Sequence, residues 1–157
     1  VPGRTGVSIA PETVARLSKI DTIVAIKEAS GSMDQADKIM QLCDIAVISG
    51  EDSLTYPLIA IGAQGVISVT ANVVPGLVHD MVWAALDGKM TQAAELHRRH
   101  YLFSKIAFIE TNPIPVKTAL GWMGMLQPEF RLPLCEMQPE NEKKLSEVLK
   151  KLGILKR

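Results

Sequence analysis

Cysteine is scarce in this sequence. Cys43 and Cys135 stand alone and far apart, which excludes a disulfide framework and any zinc-ligand spacing. Two thiols without a pairing pattern fit a reducing, cytosolic setting. Net charge is absent as well: 17 Lys plus Arg balance 17 Asp plus Glu. A chain of this balance carries no sequence-wide footprint for nucleic acid or for an anionic membrane surface. No P-loop, GxGxxG or GxSxG string occurs, so the common phosphate cradles and the nucleophile elbow are excluded. No signal peptide opens the sequence, and no low-complexity segment interrupts it.

Charge is also missing locally. Residues 53–79 contain no Asp, Glu, Lys or Arg, a stretch long enough to span a bilayer. Pro57, Gly62, Gln64, Gly65, Asn72, Pro75 and Gly76 break it repeatedly. The expectation is therefore a helix, a strand and a loop buried within an α/β fold. The first residue, Val1, is not methionine. VPGRTG reads as the end of a strand running into a loop, as expected of a processed piece or the C-terminal part of a longer protein.

What is present is ordinary in amount and ordered in pattern. The 157 residues are 47% hydrophobic and 22% charged, enough for one sizeable core. Three short runs rich in Val and Ile, residues 23–26, 45–48 and 66–69, predict strands. They lack strict alternation, as expected of strands covered on both faces of a parallel sheet. Between the first two, residues 34–42 have helical spacing, with Ala36, Ile39, Met40 and Cys43 on one stripe and Ser32 as N-cap. Residues 53–61 predict a short apolar helix kinked or started by Pro57.

This recurrence of β-α units about every 20 residues is the rhythm of a TIM barrel or a doubly wound sheet. Beyond residue 70 the pattern becomes helical, over 75–86, 91–108, 113–123 and 140–152. The last helix places Leu145, Val148, Leu149 and Leu152 on one face. Glu140 and Glu142 lie near its start, Lys150 and Lys151 near its end, and Gly153 follows as the cap. The division expected is 1–88 for about three β-α units and 89–157 for a helical region. Three parallel strands cannot close a barrel, which takes eight.

Ligands of parallel α/β folds gather where strands end. The exits here are polar: Lys27 and Glu28, then Ser49, Gly50, Glu51 and Asp52, then Thr70 and Asn72. Lys27 ends an apolar run. If it is pressed into an apolar wall, desolvation favours its neutral amine, a nucleophile that forms Schiff bases with carbonyls. The protonated imine then stabilises an enamine at the adjacent carbon. The alternative is a lysine that snorkels to water beside Glu28 or Glu51. Arg4, between two glycines in PGRTG, suits a bidentate hold on a carboxylate or is a solvated loop residue. Gly50 would let a ligand approach backbone, and Ile67 could offer main-chain polar groups to a small acid. Gly62 and Gly65 read as turn glycines. His97 and His100 are three apart on a helix; without an HExxH partner they read as a solvated face rather than a metal pair. Lys117 reads as starting or decorating a helix.

Several strings occur together and in order: VPGRTG, IVAIKEASG, SGEDS, GVISVTANV, ETNPIPVKTAL and FRLPL. Across essentially the whole chain they resemble the C-terminal half of the dihydrodipicolinate synthase family. The resemblance implies the C-terminal part of a TIM (β/α)8 barrel, followed by a helical region, usually in a homotetramer. It implies condensation of pyruvate with aspartate semialdehyde, the entry to the diaminopimelate route to lysine, in the cytoplasm. By motif position, Lys27 matches the Schiff-base lysine and Arg4 the arginine that holds the semialdehyde carboxylate. Ile67 matches a main-chain contact to pyruvate, and Gly50 lines the same pocket. No metal or organic cofactor is implied, because the lysine supplies the electron sink.

Related aldolases share the lysine, among them N-acetylneuraminate lyase and the keto-deoxy sugar acid aldolases. The GRTG arginine and NPIPVK favour the synthase. The family's catalytic tyrosine would lie two residues before Val1, and neither Tyr56 nor Tyr101 matches it. A second class of function is a non-catalytic half-barrel whose open edges need a partner, either a copy of itself or the missing N-terminal half.

Overall fold

A computed structural model describes residues 1–156. The N-terminal segment is not a strand end. Pro2–Thr5 form a four-residue helical turn, α1. Pro2 presets the backbone dihedral and lacks the donor that a first turn leaves unpaired. Gly6 closes the turn at φ 70°, donating its N–H to Pro2 O at 2.9 Å. A second helix, α2 (Pro11–Leu17), also opens on proline and buries Val14.

Two parallel strands follow, β1 (Ala25–Glu28) and β2 (Ala46–Ser49), with Ala25 opposite Ala46 and Lys27 opposite Ile48. Between them runs α3 (Met33–Leu42). Ser32 caps it as expected, accepting from the Gln35 N–H at 3.1 Å. Its Ala36 and Ile39 are fully buried. The ladder lies two residues later than the first apolar run, because pairing to Ala46–Ser49 continues through Lys27 and Glu28.

The expectation of strands covered on both faces is corrected. Val47, Ser49 and Glu28 are buried, whereas Ala25 and Lys27 are exposed. The helices pack on one face of the sheet and leave the other open. The third expected strand is reduced to one bridge, Val66 to Ser49. Three bonds tie it to β2: Gln64 N–H to Val47 O at 2.9 Å, Ser49 N–H to Gly65 O and Ile67 N–H to Ser49 O, both at 2.8 Å. The chain then turns into a 3-10 segment, Thr70–Asn72. Pairing stops there because the buried Asp52 carboxylate takes the N–H groups of Val69 (2.9 Å) and Thr70 (3.3 Å).

The apolar stretch 53–79 resolves into short pieces, as expected. They are a 3-10 turn at Asp52–Leu54, helix α4 (Thr55–Ala60) with Pro57 in its first turn, the bridge, and the start of α5 (Pro75–Leu86). Helices α6 (Met90–Ile106), α7 (Ile114–Trp122) and α8 (Pro139–Lys151) complete the chain. Each matches its expected range to within a few residues. The charges of α8 sit at the expected ends, and Gly153 follows its cap residue Leu152 at φ 74°. Among the described residues no helix is long and apolar enough to cross a membrane.

Two apolar clusters form the core. One gathers Val14, Ala36, Ile39, Val47 and Leu58 around the sheet. The other gathers Phe103, Ala107, Ile114, Ala119, Leu145 and Leu149 between the C-terminal helices. Helix α6 joins them, giving Ala93 to the first and Phe103 to the second.

Candidate active site at the strand exits

Lys27 is the third residue of β1 and points to the open face. Its side chain is exposed, so the apolar wall expected around it is not supplied by these residues. Nor does it pair with the neighbouring carboxylates. Glu28 lies on the buried face, accepting from the Ser30 N–H (3.0 Å) and Gln35 Nε2 (3.3 Å). Glu51 accepts from the Ser53 hydroxyl at 3.0 Å.

Gly50 packs directly against Lys27. A Cβ at residue 50 would lie 2.9 Å from Lys27 Cε, 2.6 Å from Ala29 Cβ and 2.9 Å from Glu28 O. The Gly50 N–H also bonds Glu28 O at 2.6 Å. Glycine here is a condition for two adjacent strand exits to close up and for the lysine stem to lie between them.

Arg4 and Gly50 share an open cleft of about 650 Å³, bordered by Ala29–Gly31 and by Phe108–Asn112. One Arg4 nitrogen donates to Asn112 O at 3.1 Å, which ties α1 to the NPIP segment and leaves other guanidinium donors for a ligand. Lys27 instead lines a smaller cavity of about 50 Å³ with Val1, Pro2 and Val7. Gly50 is therefore the shared neighbour of the lysine and of the arginine cleft.

Ile67 is 54% exposed, and its N–H is already given to Ser49 O. The main-chain group it can offer is its carbonyl, an acceptor. This sharpens the expectation for a small acid: Ile67 can take an O–H or N–H proton but cannot hold a carboxylate.

Helix α6 overturns the expected solvated histidine face. His100 is fully buried, and His97 is half-buried between the rings of Tyr56 and Tyr101. His100 Nε2 lies 2.7 Å from Thr70 Oγ1, which lies 2.7 Å from Asp52 Oδ1. Burial holds His100 below the ordinary imidazole value of 6.5; Asp52 pulls it back up and His97 pushes it further down. Burial also lowers His97, with Arg98 adding to it. Among the described residues, no three His, Cys, Asp or Glu side chains converge as metal ligands do.

Asp52, buried at the exit of β2, is the functional candidate that sequence reasoning named only as part of a polar exit. The signal was an acidic residue directly before a charge-free stretch rich in hydroxyls. Lys117 sits within α7, as expected, donating to Glu129 O and lying 5.2 Å from the Phe130 ring centroid.

A lysine at the end of a parallel strand, a glycine pressed against its stem and a nearby arginine cleft gather at the strand exits of a partial α/β fold. Residues 1–152 match the model of the Dihydrodipicolinate synthetase family, and the chain belongs to that family. It is 53% identical over 99% of its length to a 4-hydroxy-tetrahydrodipicolinate synthase of Methanothrix thermoacetophila. It is 51% identical to the one of Geobacter sulfurreducens, again over 99%. The crystal structure of dihydrodipicolinate synthase from Aquifex aeolicus superposes with a TM-score of 0.95 at 48% identity, over 98% of this chain. In each case the match covers 54% of the relative. The chain thus spans about half the length of the relatives it matches.

Proposed function

We propose that the full protein is a 4-hydroxy-tetrahydrodipicolinate synthase, working in the cytoplasm on the diaminopimelate route to lysine. In this reading residues 1–88 belong to a TIM barrel and residues 89–157 to the helical region that follows it. The assembly is a homo-oligomer, a tetramer by analogy with the family. The single observation that carries the reading is Lys27 at the exit of β1, its stem packed on Gly50, in a chain whose family is established.

The chemistry follows from the residues. The Lys27 amine adds to the ketone carbon of pyruvate, and the carbinolamine loses water to give a protonated imine. Loss of a methyl proton gives the enamine, whose carbon attacks the aldehyde of aspartate semialdehyde. The amino group of the semialdehyde then displaces the lysine and closes the ring. Arg4 holds the semialdehyde carboxylate, and Gly50 leaves room for the reacting carbon. The Ile67 carbonyl accepts a hydrogen bond from the carbinolamine hydroxyl or the protonated imine N–H. No organic cofactor enters these steps.

A second reading is favoured by the exposure of Lys27 and Ile67. Taken alone, these residues form a half-barrel that does not exclude water from the lysine, and catalysis then belongs to the assembled protein. One experiment separates the readings. Treat the full-length gene product, and separately the 157-residue polypeptide, with pyruvate and borohydride, and weigh both. The expected result is one reduced pyruvyl adduct on Lys27 in the full-length protein, absent in Lys27→Arg. No adduct in folded full-length protein would sink the synthase reading.

A further inference from the structure

Asp52 is a buried carboxylate with no salt bridge among the described residues; four donors hold it instead. Its Oδ1 accepts from the hydroxyls of Ser68 and Thr70 (2.7 Å to Thr70), and its Oδ2 from the N–H groups of Val69 and Thr70. Ser68 in turn accepts from the Ala71 N–H at 2.9 Å. These donors fix the hydrogen positions. Thr70 gives its proton to Asp52, so its oxygen must accept from His100. Nε2 therefore carries a proton; burial favours the neutral imidazole, whose Nδ1 is then bare, and Nδ1 has no partner among the described residues.

All four donors belong to Ser68–Thr70, the residues immediately after Ile67. On its other side Ile67 gives its N–H to Ser49 O, and Gly65 and Gln64 before it are bonded to Ser49 and Val47. The carbonyl of Ile67 is thus aimed by two clamps, the β2 ladder before it and the Asp52 carboxylate after it.

We propose that Asp52 is a positioning residue for the Schiff-base reaction, aiming the Ile67 carbonyl at the pyruvate-derived adduct. This rests on the synthase reading above. The carboxylate acts through backbone, touching neither Lys27 nor substrate, and the Thr70–His100 pair holds it in the orientation that serves all four donors. An amide replaces it poorly: with its oxygen on the two N–H groups, its NH2 faces the Ser68 and Thr70 hydroxyls, which must turn their protons away and already lie within hydrogen-bond distance of Ala71 N–H and His100 Nε2.

The test compares full-length Asp52→Asn, Thr70→Val and Thr70→Ser with the parent. Two rates are read: borohydride-trapped imine formation with pyruvate, and steady-state KM for each substrate. Expected for Asp52→Asn is a rise of about tenfold or more in pyruvate KM, or a fall of that size in imine rate, with the semialdehyde KM within about twofold. Thr70→Val, which keeps shape but drops one donor, should lose several-fold, and Thr70→Ser should restore parent values. If Asp52→Asn fails to fold, the Thr70 pair decides. Unchanged pyruvate parameters in the folded variants, with only a lowered melting temperature, would overturn the proposal and leave the synthase reading standing. A parent that traps no pyruvate overturns both.

Discussion

Gly50 shows how much a single residue can decide at a strand exit. Two of the three atoms that a Cβ would meet are the Ala29 side chain and the Glu28 carbonyl, at 2.6 and 2.9 Å. Neither can swing away, unlike the third, the flexible Lys27 stem. Gly50→Ala must therefore part the ends of β1 and β2, at a cost of about 1–3 kcal/mol by comparison with overpacked cores. The expected outcome is a lower denaturation midpoint together with slower pyruvate trapping, since Lys27 Cε lies in the displaced contact. An alanine variant with the parent midpoint and parent trapping rate would refute the close approach. At this scale the sequence was legible for position: Lys27 lies at the end of β1 and Gly50 just past the end of β2, as the apolar runs before them imply. It was not legible for His100. A polar residue in a polar helix reads as surface, and its partner Thr70, thirty residues earlier, leaves no periodic trace.

Helices were read well, because their 3.6-residue stripes mark the side that packs, and caps such as Ser32 mark where they begin. Strands were read less well. The apolar pattern reports which residues are covered, while the ladder is set by pairing and continues into Lys27 and Glu28. The third strand was shortened by a carboxylate that captures two backbone donors, an effect invisible to hydrophobicity.

Helix α6 carries the pH dependence. His100 faces Asp52 through Thr70 and has His97 on its own helix, and the net effect of burial is a lowered affinity for protons. As pH falls, the unfolded chain takes up this proton first, near the ordinary value of 6.5. The stability tied to the neutral imidazole is thus complete above that value. It is lost as pH falls through it, until the folded state protonates in turn. His97 adds to the same slope. Urea midpoints should fall between about pH 7.5 and 5.5, and His100→Leu should flatten that fall without abolishing it. A slope identical to the parent's would exclude His100 as its source.

At the scale of the molecule, one face of the sheet decides behaviour. The helices cover the face with Val47, Ser49 and Glu28. The opposite face, with Ala25 and Lys27, is open, as is the free edge of β1, and Val24 beside it is 73% exposed. Ile67, at the other end of this layer, is 54% exposed. Unpaired strand edges beside apolar surface are templates for association. A net charge of zero supplies no repulsion to oppose it. The second apolar cluster, between α6, α7 and α8, has a closed centre: Phe103, Leu145 and Leu149 are each 0% exposed, while Leu102, Met125 and Leu132 around it stay exposed. The 157-residue polypeptide on its own should therefore fold through its helices but not remain a monomer. Sedimentation at several concentrations should show mass rising with concentration, and a hydrophobic dye should bind until the open face is covered. Full-length protein should bind little dye under the same conditions. A concentration-independent monomer with no dye binding would mean that the sheet closes on itself in solution, and the open face would then no longer argue for a missing partner.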